Sequence, residues 1–253
     1  MIKKLYKKFF SEKSRINIRL FLERNSAFLY YGSGFECNCC GKTFRKFKPK
    51  GNVVRKNAKC PYCGSLERQR VLFFYLEKET DIFTKENNKV LYFAPEHCLI
   101  PKFNRCTFAE FVDADINPNF ANYIVDIQSI SYPNDYFDYI ICSHVLGHVP
   151  NEQKAIQELY RVLKKSGKAI IMTLIDKSRE KTFEDTSIVT PKDKLKYYSE
   201  SDLERLHGLD FAQRLSHCFK VEEIDYRKCF DEEIQKRFSL GNGEREIIFS
   251  CTK

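Results

Sequence analysis

Residues 134–172 read NDYFDYIICSHVLGHVPNEQKAIQELYRVLKKSGKAIIM, and this stretch determines the fold class. An apolar run at 136–143 predicts a strand that is buried on both faces. A helical period follows over 151–165, with Asn151 as its N-cap and Gly167 as a left-handed residue at its end. The apolar run 168–175 predicts a second buried strand. A strand, a helix and a strand in this order indicate a parallel βαβ unit.

Similar apolar runs on both sides of this unit predict further strands. Together they predict an α/β fold with a doubly wound, mostly parallel, seven-stranded sheet. Ligands of such sheets bind at the carboxyl ends of the strands, where the strand order reverses. Residues 199–215 are predicted to be helical in part. The remaining predicted strands are 89–93, 111–115, 122–126, 219–225 and 245–251.

Two copies of a cysteine knuckle precede the sheet. Cys37 and Cys40 form CNCCG, and Cys60 and Cys63 form CPYCG. Four thiolates with this spacing predict a closed, structural Zn²⁺ site. Cys39 is an alternative ligand, and free buried cysteines are the alternative to a metal site. Residues 65–80 then predict a helix that Ser65 could cap.

The positive charge is concentrated near the N-terminus. The chain carries a formal charge of +9, and residues 1–80 hold 19 Lys and Arg against six Glu. Such a segment attracts an anionic acceptor, nucleic acid or an anionic membrane surface, although it could also serve solubility alone. No apolar run is long enough to predict a transmembrane segment. An odd number of cysteines, eleven, favours a reducing compartment, so we expect a cytoplasmic protein.

We predict three parts: a basic helical lead-in over 1–34, a zinc ribbon over 35–66 and a catalytic domain over 67–253. In the lead-in, Ile16 and Leu20 fall on one side of a helix, together with Phe21. A membrane-surface helix and a helix packed on its own domain both remain open.

The chain resembles class I S-adenosylmethionine-dependent methyltransferases. VDADINP (112–118) is similar to their second strand, and 134–172 resembles their pattern sFDxIxxxHVLEHI…RVLKPGG. The glycine-rich first motif is replaced by FAPE (93–96). One subgroup shares this APE, and it also has a CPxCGSxERxR ribbon and a TxED segment, as in 60–70 and 182–185. Arg205, Gly208 and Asp210 match the RxYGxD of that subgroup. Gly147 and His207 depart from its pattern, which has Glu and Tyr there.

The resemblance implies S-adenosylmethionine as cofactor, with Asp115 accepting hydrogen bonds from the ribose hydroxyls. It implies that Glu96 pairs with the methionyl ammonium group, although Glu96 could instead cap the next helix. Asp126 and Ile127 would contact the adenine. The full set of cofactor residues is Phe93, Ala94, Glu96, Asp115, Ile116, Asp126, Ile127, Ser143 and His144. Candidate catalytic residues are His144, His148, Glu184 and Asp185, each with a structural role as the alternative.

Three functions follow from these features. The first is methyl transfer to a small-molecule or carbohydrate-type acceptor, such as a nucleotide-linked sugar or a surface glycan precursor. The second is an RNA methyltransferase that binds RNA through its zinc ribbon, in which the basic segment would hold phosphates. The third is a non-catalytic binding protein whose cofactor site has decayed, as the missing glycines suggest.

Overall fold

The computed structural model describes residues 11–253. Its N-terminal part is a helix followed by two short antiparallel hairpins. Ser11 caps the helix by accepting a hydrogen bond from the Ser14 amide, and a 3₁₀ turn, Ala27–Tyr30, extends it. The predicted helical lead-in is therefore present between residues 12 and 26, and the basic residues 3–8 lie outside the described part. The elements are α1 Glu12–Ser26, β1 Tyr31–Cys37, β2 Lys42–Phe44, β3 Lys48–Lys50 and β4 Arg55–Lys59.

A seven-stranded sheet follows, in the order β7-β6-β5-β8-β9-β11-β10. All neighbours pair in parallel except β11, which runs antiparallel to both β9 and β10. This confirms the predicted doubly wound, mostly parallel sheet. Strand order reverses between β5 and β8. The strands are β5 Lys89–Phe93, β6 Glu110–Asp115, β7 Tyr123–Ile124, β8 Phe137–Ser143, β9 Leu163–Met172, β10 Lys220–Ile224 and β11 Ile248–Thr252.

Apolar clusters cover both faces of the sheet. One cluster contains the inner face of helix α4 (Glu152–Val162), and the other contains the apolar run of helix α2 (Glu67–Lys78) from Val71 to Leu76. No helix among residues 11–253 is long and apolar enough to cross a bilayer. The helices after α1 are α2 Glu67–Lys78, α3 Ile100–Phe103, α4 Glu152–Val162, α5 Pro191–Tyr198, α6 Phe211–Leu215 and α7 Glu232–Phe238.

Two predicted details around α4 and β9 were wrong. Asn151 does cap α4, accepting from the Lys154 amide at 3.0 Å. However, the helix ends at Val162 and the chain enters β9 directly at Leu163. Gly167 is therefore not a left-handed helix terminus but a strand residue. A Cβ there would lie 2.9 Å from the Asp138 carbonyl oxygen, so glycine allows β8 and β9 to approach closely at this point.

Two other boundaries also differ. Leu66, and not Ser65, is the N-cap of α2, because the Ser65 side chain faces the cysteine cluster instead. The strand predicted over 122–126 is reduced to the exposed pair Tyr123–Ile124 at the sheet edge. The segment 199–215 is helical in part, as predicted, and its helix is α6 at the end of the segment. Short edge strands and loops have no periodic pattern of buried apolar residues, so their limits are difficult to predict from the sequence.

Arg70 joins the hairpins to the sheet domain. Its fully buried guanidinium donates to the carbonyl oxygens of Ser65 and Ala58 at 2.7 and 3.0 Å. It also donates to the Phe238 and Ser239 carbonyl oxygens, both at 2.7 Å. One side chain therefore ties β4, α2 and the end of α7 together.

Candidate active site and zinc centre

The strands β5 and β8, between which the strand order reverses, are each followed by a residue in a left-handed backbone conformation. Ala94 follows β5 with φ +47°, and His144 follows β8 with φ +56°. Their amides donate to the carbonyl oxygens of Ala114 and Met172, both at 2.8 Å. A left-handed conformation is strained for residues with a side chain and is concentrated at functional sites. Both turns therefore open the sheet at the place where doubly wound folds bind ligands.

A cavity of about 300 Å³ lies at the carboxyl ends of β5 and β6, and no residue of β8 or of the loop that follows it lines this cavity. Three parts of the chain contribute to its walls: the loops after β5 and β6, helix α1, and the second cysteine knuckle with its neighbours. Sequence reasoning missed the contribution of α1, since a lead-in helix gives no signal of what it covers. The charged and polar lining residues are Arg19, Glu23, Lys50, Lys59, Gln69, Glu96, His97 and Asp115.

Glu96 is the most buried carboxylate of this cavity. The Tyr92 hydroxyl donates to its Oε2, and the Nε atom of Arg68 lies 4.0 Å from its Oε1. Burial raises the pKa of Glu96, and the nearby Arg68 guanidinium and Tyr92 hydroxyl offset this only in part. Such a carboxylate favours a cationic partner, which would lower its desolvation cost.

Asp115 and Ser143 provide the other polar groups of the predicted cofactor site. Asp115 lines the cavity, and its Oδ1 accepts from the Asn117 amide at 2.8 Å. Ser143 is buried at the end of β8, and its hydroxyl has no hydrogen-bond partner within residues 11–253. A buried orphan hydroxyl is unusual and indicates a missing polar ligand. The ribose, ammonium and carboxylate groups of S-adenosylmethionine fit this donor and acceptor set.

Of the predicted cofactor residues, only Ala94, Glu96 and Asp115 line the cavity, and Ser143 lies outside the lining together with the rest. Phe93 and Ile127 are buried in the core, and Ile116 is 70% exposed. Asp126 folds back on itself, accepting from the Gln128 amide at 2.8 Å. Their contacts with the cofactor stay a prediction.

His144 and His148 are placed differently. The Nε2 of His144 lies 3.0 Å from the Arg245 carbonyl oxygen, which can only accept, so this nitrogen carries the proton and Nδ1 has a free lone pair. Burial and the nearby Arg68 cation lower the pKa of His144 far below its usual range, so the ring is neutral at physiological pH. His148 is one-third exposed, and its Nδ1 lies 3.2 Å from the Asp202 carbonyl oxygen. Only His144 reaches the point of strand reversal.

Glu184 and Asp185 are held by neighbouring groups. Glu184 accepts two hydrogen bonds, at 3.1 and 2.9 Å, from Arg205, whose buried guanidinium also donates to the carbonyl oxygens of Leu146 and Val149. Asp185 accepts from the amide and hydroxyl groups of Ser187, which lower the pKa of its carboxyl. These contacts favour a structural role, and a catalytic role for either carboxylate stays a prediction.

A second, larger cleft of about 960 Å³ lies beside the first. The hairpin of β3 and β4 forms one wall, and loops after β9, α5 and α7 form the other. Lys50 and Leu66 line both cavities, so the two spaces adjoin. Arg68 lines this cleft, and sequence reasoning did not assign it to a site although it lies within the SLERQR motif. The buried Nε atom of Arg68 has no hydrogen-bond partner within residues 11–253.

The four predicted zinc ligands form one cluster. The Sγ atoms of Cys37, Cys40, Cys60 and Cys63 all lie within 4.8 Å of one another, with Cys37 and Cys63 at 3.5 Å. Four ligands in a tetrahedron with Zn–S bonds of 2.3 Å would be about 3.8 Å apart. Cys39 is outside the cluster, and its thiol faces the Gln69 carbonyl oxygen at 3.8 Å. The cluster fits Zn²⁺ held by Cys37, Cys40, Cys60 and Cys63.

Gly147 and His207, the two departures from the subgroup pattern, lie against each other. A Cβ on Gly147 would be 3.7 Å from the His207 ring and 2.8 Å from the Leu203 side chain. His207 is buried between the Thr173 hydroxyl at 2.8 Å and Glu152 Oε1 at 2.5 Å. Burial lowers the pKa of His207, and Glu152 only partly opposes this shift.

Strand order, a single antiparallel strand and a cavity at the point of reversal together define a class I methyltransferase fold. Comparison with known families agrees. Residues 82–210, just over half of the chain, match a family described as methyltransferase domain. The chain belongs to this family.

Similar proteins share the domain over part of their length. A ubiquinone/menaquinone biosynthesis C-methyltransferase of Rickettsia akari is 28% identical over 121 residues, which are 48% of this chain and 45% of the relative. The corresponding protein of Hydrogenovibrio crunogenus is 37% identical over 49 residues, 19% of each chain. The chain thus spans about half, or less, of the length of these relatives.

Solved structures show the same fold at low identity. An S-adenosylmethionine-dependent methyltransferase of Mesorhizobium loti has a TM-score of 0.52 and 12% identity, covering 72% of this chain and 98% of its own. The [4+2]-cyclase SpnF has the same TM-score at 11% identity, covering 96% and 97%. Because one of these two is described as a cyclase, the fold alone does not define the reaction.

Proposed function

We propose that this protein transfers the methyl group of S-adenosylmethionine to a small anionic acceptor, a small molecule or a carbohydrate-type compound such as a nucleotide-linked sugar. One observation carries the proposal. A small cavity at the point of strand reversal adjoins a cleft three times its volume, and Lys50 and Leu66 line both. A cofactor in the first space and an acceptor in the second could therefore meet.

The cofactor side of the proposal rests on three groups. Glu96 would pair with the methionyl ammonium, Asp115 would accept from the ribose hydroxyls, and Ser143 would use its free hydroxyl for a further hydrogen bond. The cofactor supplies an already activated sulfonium methyl group, so the protein has mainly to align the two reactants and exclude water.

The acceptor side rests on cations that line the cleft. Arg68 has a buried Nε without a hydrogen-bond partner, although this atom lies 4.0 Å from Glu96, and Lys177 lines the cleft without an ion pair within residues 11–253. Arg55 and Arg245 are already paired, with Glu67 and Glu200. A phosphate or carboxylate group of the acceptor would satisfy the first two. His144, neutral and with Nδ1 free, could take a proton if the acceptor is a hydroxyl.

The names of the relatives favour a second candidate, methylation of a carbon atom in a quinone-like ring. Val53, Val54 and Leu174 give the cleft an apolar part that such a ring could occupy. Methylation of RNA, the other alternative, rests on the basic N-terminal segment alone.

Transfer of a labelled methyl group from S-adenosylmethionine into host lysate tests the proposal. The lysate is separated afterwards into small molecules, glycolipids, quinones, RNA and protein. We expect label in anionic small molecules or glycan precursors, and much less with Arg68→Gln, whereas Arg237→Gln, at a half-exposed residue that does not line the cleft, should leave transfer unchanged. Label in RNA or in quinones would show that the acceptor belongs to that class and would contradict the proposed anionic small molecule. Absence of cofactor binding by calorimetry would favour a non-catalytic binding protein.

A further inference from the structure

Helix α1 presents apolar side chains on two opposite faces. At 100° per residue, Ile16 and Ala27 point to one side, where both are buried. The opposite side carries Phe21 and Leu22, exposed at 67% and 60%, and the 3₁₀ turn continues it. There Phe28 and Leu29 are exposed at 69% and 56%. We call these four residues the apolar ridge.

Such a ridge on the outside of a protein usually marks an interaction surface. Tyr31, which is 72% exposed, follows it at the start of β1. Within residues 11–253 no other segment of 11 residues exposes five large apolar side chains in this way. Burial in the cofactor cavity cannot explain the ridge, because that cavity is lined by Arg19, Leu20 and Glu23 on the other side of the helix.

Positive charge surrounds the ridge. Arg24, Arg45 and Lys46 are exposed beside it, and Arg45 donates to the Leu29 carbonyl oxygen at 2.9 Å. Residues 11–50 hold nine Lys and Arg but only three Glu. Two of these acids are already paired, Glu23 with Lys59 and Glu36 with Arg237. The neighbourhood therefore carries an uncompensated positive charge.

We propose that the apolar ridge docks this protein on an anionic membrane surface. Aromatic and leucine side chains on one face of a helix, flanked by Arg and Lys, are the combination that lies in a bilayer interface. The ridge enters the boundary of the acyl chains while the cations meet anionic headgroups. A second copy of this chain is a poorer occupant, since it would bring the same cations against each other. This inference is independent of the proposed acceptor.

Co-sedimentation with vesicles tests the docking. The full-length, zinc-loaded protein is mixed with vesicles of phosphatidylcholine, or of an equal mixture of phosphatidylcholine and phosphatidylglycerol. We expect binding to the mixed vesicles only. Phe21→Ser with Leu22→Ser should weaken it about tenfold or more, because the apolar contact is lost. Val189→Ser with Leu195→Ser, an exposed apolar pair in another segment, is the matched control and should bind as the wild type does.

The charge contribution has its own variant. Arg24→Gln with Lys46→Gln should weaken binding to the mixed vesicles about fivefold per cation removed. Thermal denaturation and zinc content of all variants show that the fold is kept. Equal vesicle binding by the wild type and the Phe21→Ser, Leu22→Ser variant would overturn the proposal. So would a wild-type dimer that these two substitutions convert to a monomer, because the ridge would then be a subunit interface.

Discussion

At the scale of single residues, Asp115 is the most direct test of the cofactor site. Its carboxylate lines the cavity and has only the Asn117 amide as a partner at Oδ1. Asp115→Ala should weaken S-adenosylmethionine binding by about 1.5–3 kcal/mol, because a charged acceptor of the ribose hydroxyls is lost. Isothermal titration calorimetry measures the change.

Asp185→Ala is the control for this substitution. The Asp185 carboxylate accepts hydrogen bonds from Ser187 of its own loop, and its contacts with Tyr198 are made by the backbone, so cofactor affinity should not change. Equal affinity of the wild type and Asp115→Ala would show that the ribose is held elsewhere.

We expect Glu96 to make cofactor binding sensitive to acid. Because its pKa is raised by burial, this carboxylate is protonated at a higher pH than an ordinary glutamate, whose pKa is about 4.3. The protonated form no longer attracts the ammonium group, so affinity should fall as the pH is lowered through the raised pKa. Titration calorimetry across a pH series should show this fall for the wild type and not for Glu96→Gln.

The same substitution has an opposite effect on stability. When folding raises the pKa of a carboxyl group, its protonated form stabilises the folded state at pH values below the pKa that the group has in the unfolded chain. This stabilisation disappears as the pH rises through the pKa that the group has in the folded state. At neutral pH, Glu96→Gln should therefore bind the cofactor more weakly without lowering the free energy of unfolding. Thermal denaturation at neutral pH is the check, and a clear loss of stability would mean that the ionised form is needed for folding.

At the scale of elements, we expect the two cysteine knuckles to depend on a metal. We predict one tightly held zinc per chain, bound by Cys37, Cys40, Cys60 and Cys63. Cys63→Ser should lose the metal and at least about 3 kcal/mol of stability, lowering the Tm by roughly 6–12 °C, because metal binding and folding are coupled in such modules. Elemental analysis and thermal denaturation measure both changes.

Cys39→Ser provides the matched control, since its thiol lies outside the cluster. It should keep the zinc and most of the stability. A folded wild-type protein without metal would contradict the zinc prediction, and loss of zinc in Cys39→Ser would show that the ligand set is different.

Long, doubly buried elements could be predicted from the sequence. The strand at 89–93 was predicted with its observed limits, and β8 differs by one residue, because continuous apolar runs leave few alternatives. β7 contains only two residues, both exposed, instead of the five predicted. An edge strand that is not buried on either face has no apolar pattern that would indicate its limits. The direct passage from α4 to β9 was missed because the polar residues 164–168 resemble a loop, although they lie within β9, where Leu163 and Lys168 pair with Phe137 and Tyr139 of β8.

Only those residues of the candidate site that belong to a single short motif could be predicted from the sequence. The zinc ligands and Glu96 belong to local motifs that can be recognised in isolation. Arg19 and Lys50 could not be assigned, because the fold brings them to the cofactor cavity from segments distant in sequence. Nothing in the spacing of residues 12–26 indicates that one face of α1 covers a ligand site.

At the scale of the whole molecule, Arg70 couples the hairpins to the sheet domain. Arg70→Met keeps the volume but removes the guanidinium donor from four carbonyl oxygens, those of Ala58, Ser65, Phe238 and Ser239, of which Ser65 retains the Cys60 amide as a second donor. We expect a loss of about 3–5 kcal/mol in the free energy of unfolding, because buried acceptors become unsatisfied. Chemical denaturation followed by circular dichroism measures it.

Arg237→Met is the control at the same junction. Arg237 is half exposed and pairs with Glu36 of β1 at 2.9 Å, and surface pairs of this kind contribute between zero and about 1 kcal/mol. If both variants lost equal stability, contact area at the junction, and not the buried guanidinium, would hold the parts together.

The two adjoining cavities have a consequence for how such proteins diversify. The strand ends that carry Glu96, Asp115 and Ser143 lie within the family segment 82–210, whereas Lys50, Leu66 and Arg68 precede it. The wall of the larger cleft is therefore encoded on both sides of the boundary at residue 82, since the loops 174–177 and 199–206 also line it. If the proposed acceptor binds there, substitutions upstream of residue 82 would change one wall of the cleft, and with it the compounds that are methylated, while the strand ends of the sheet stay the same.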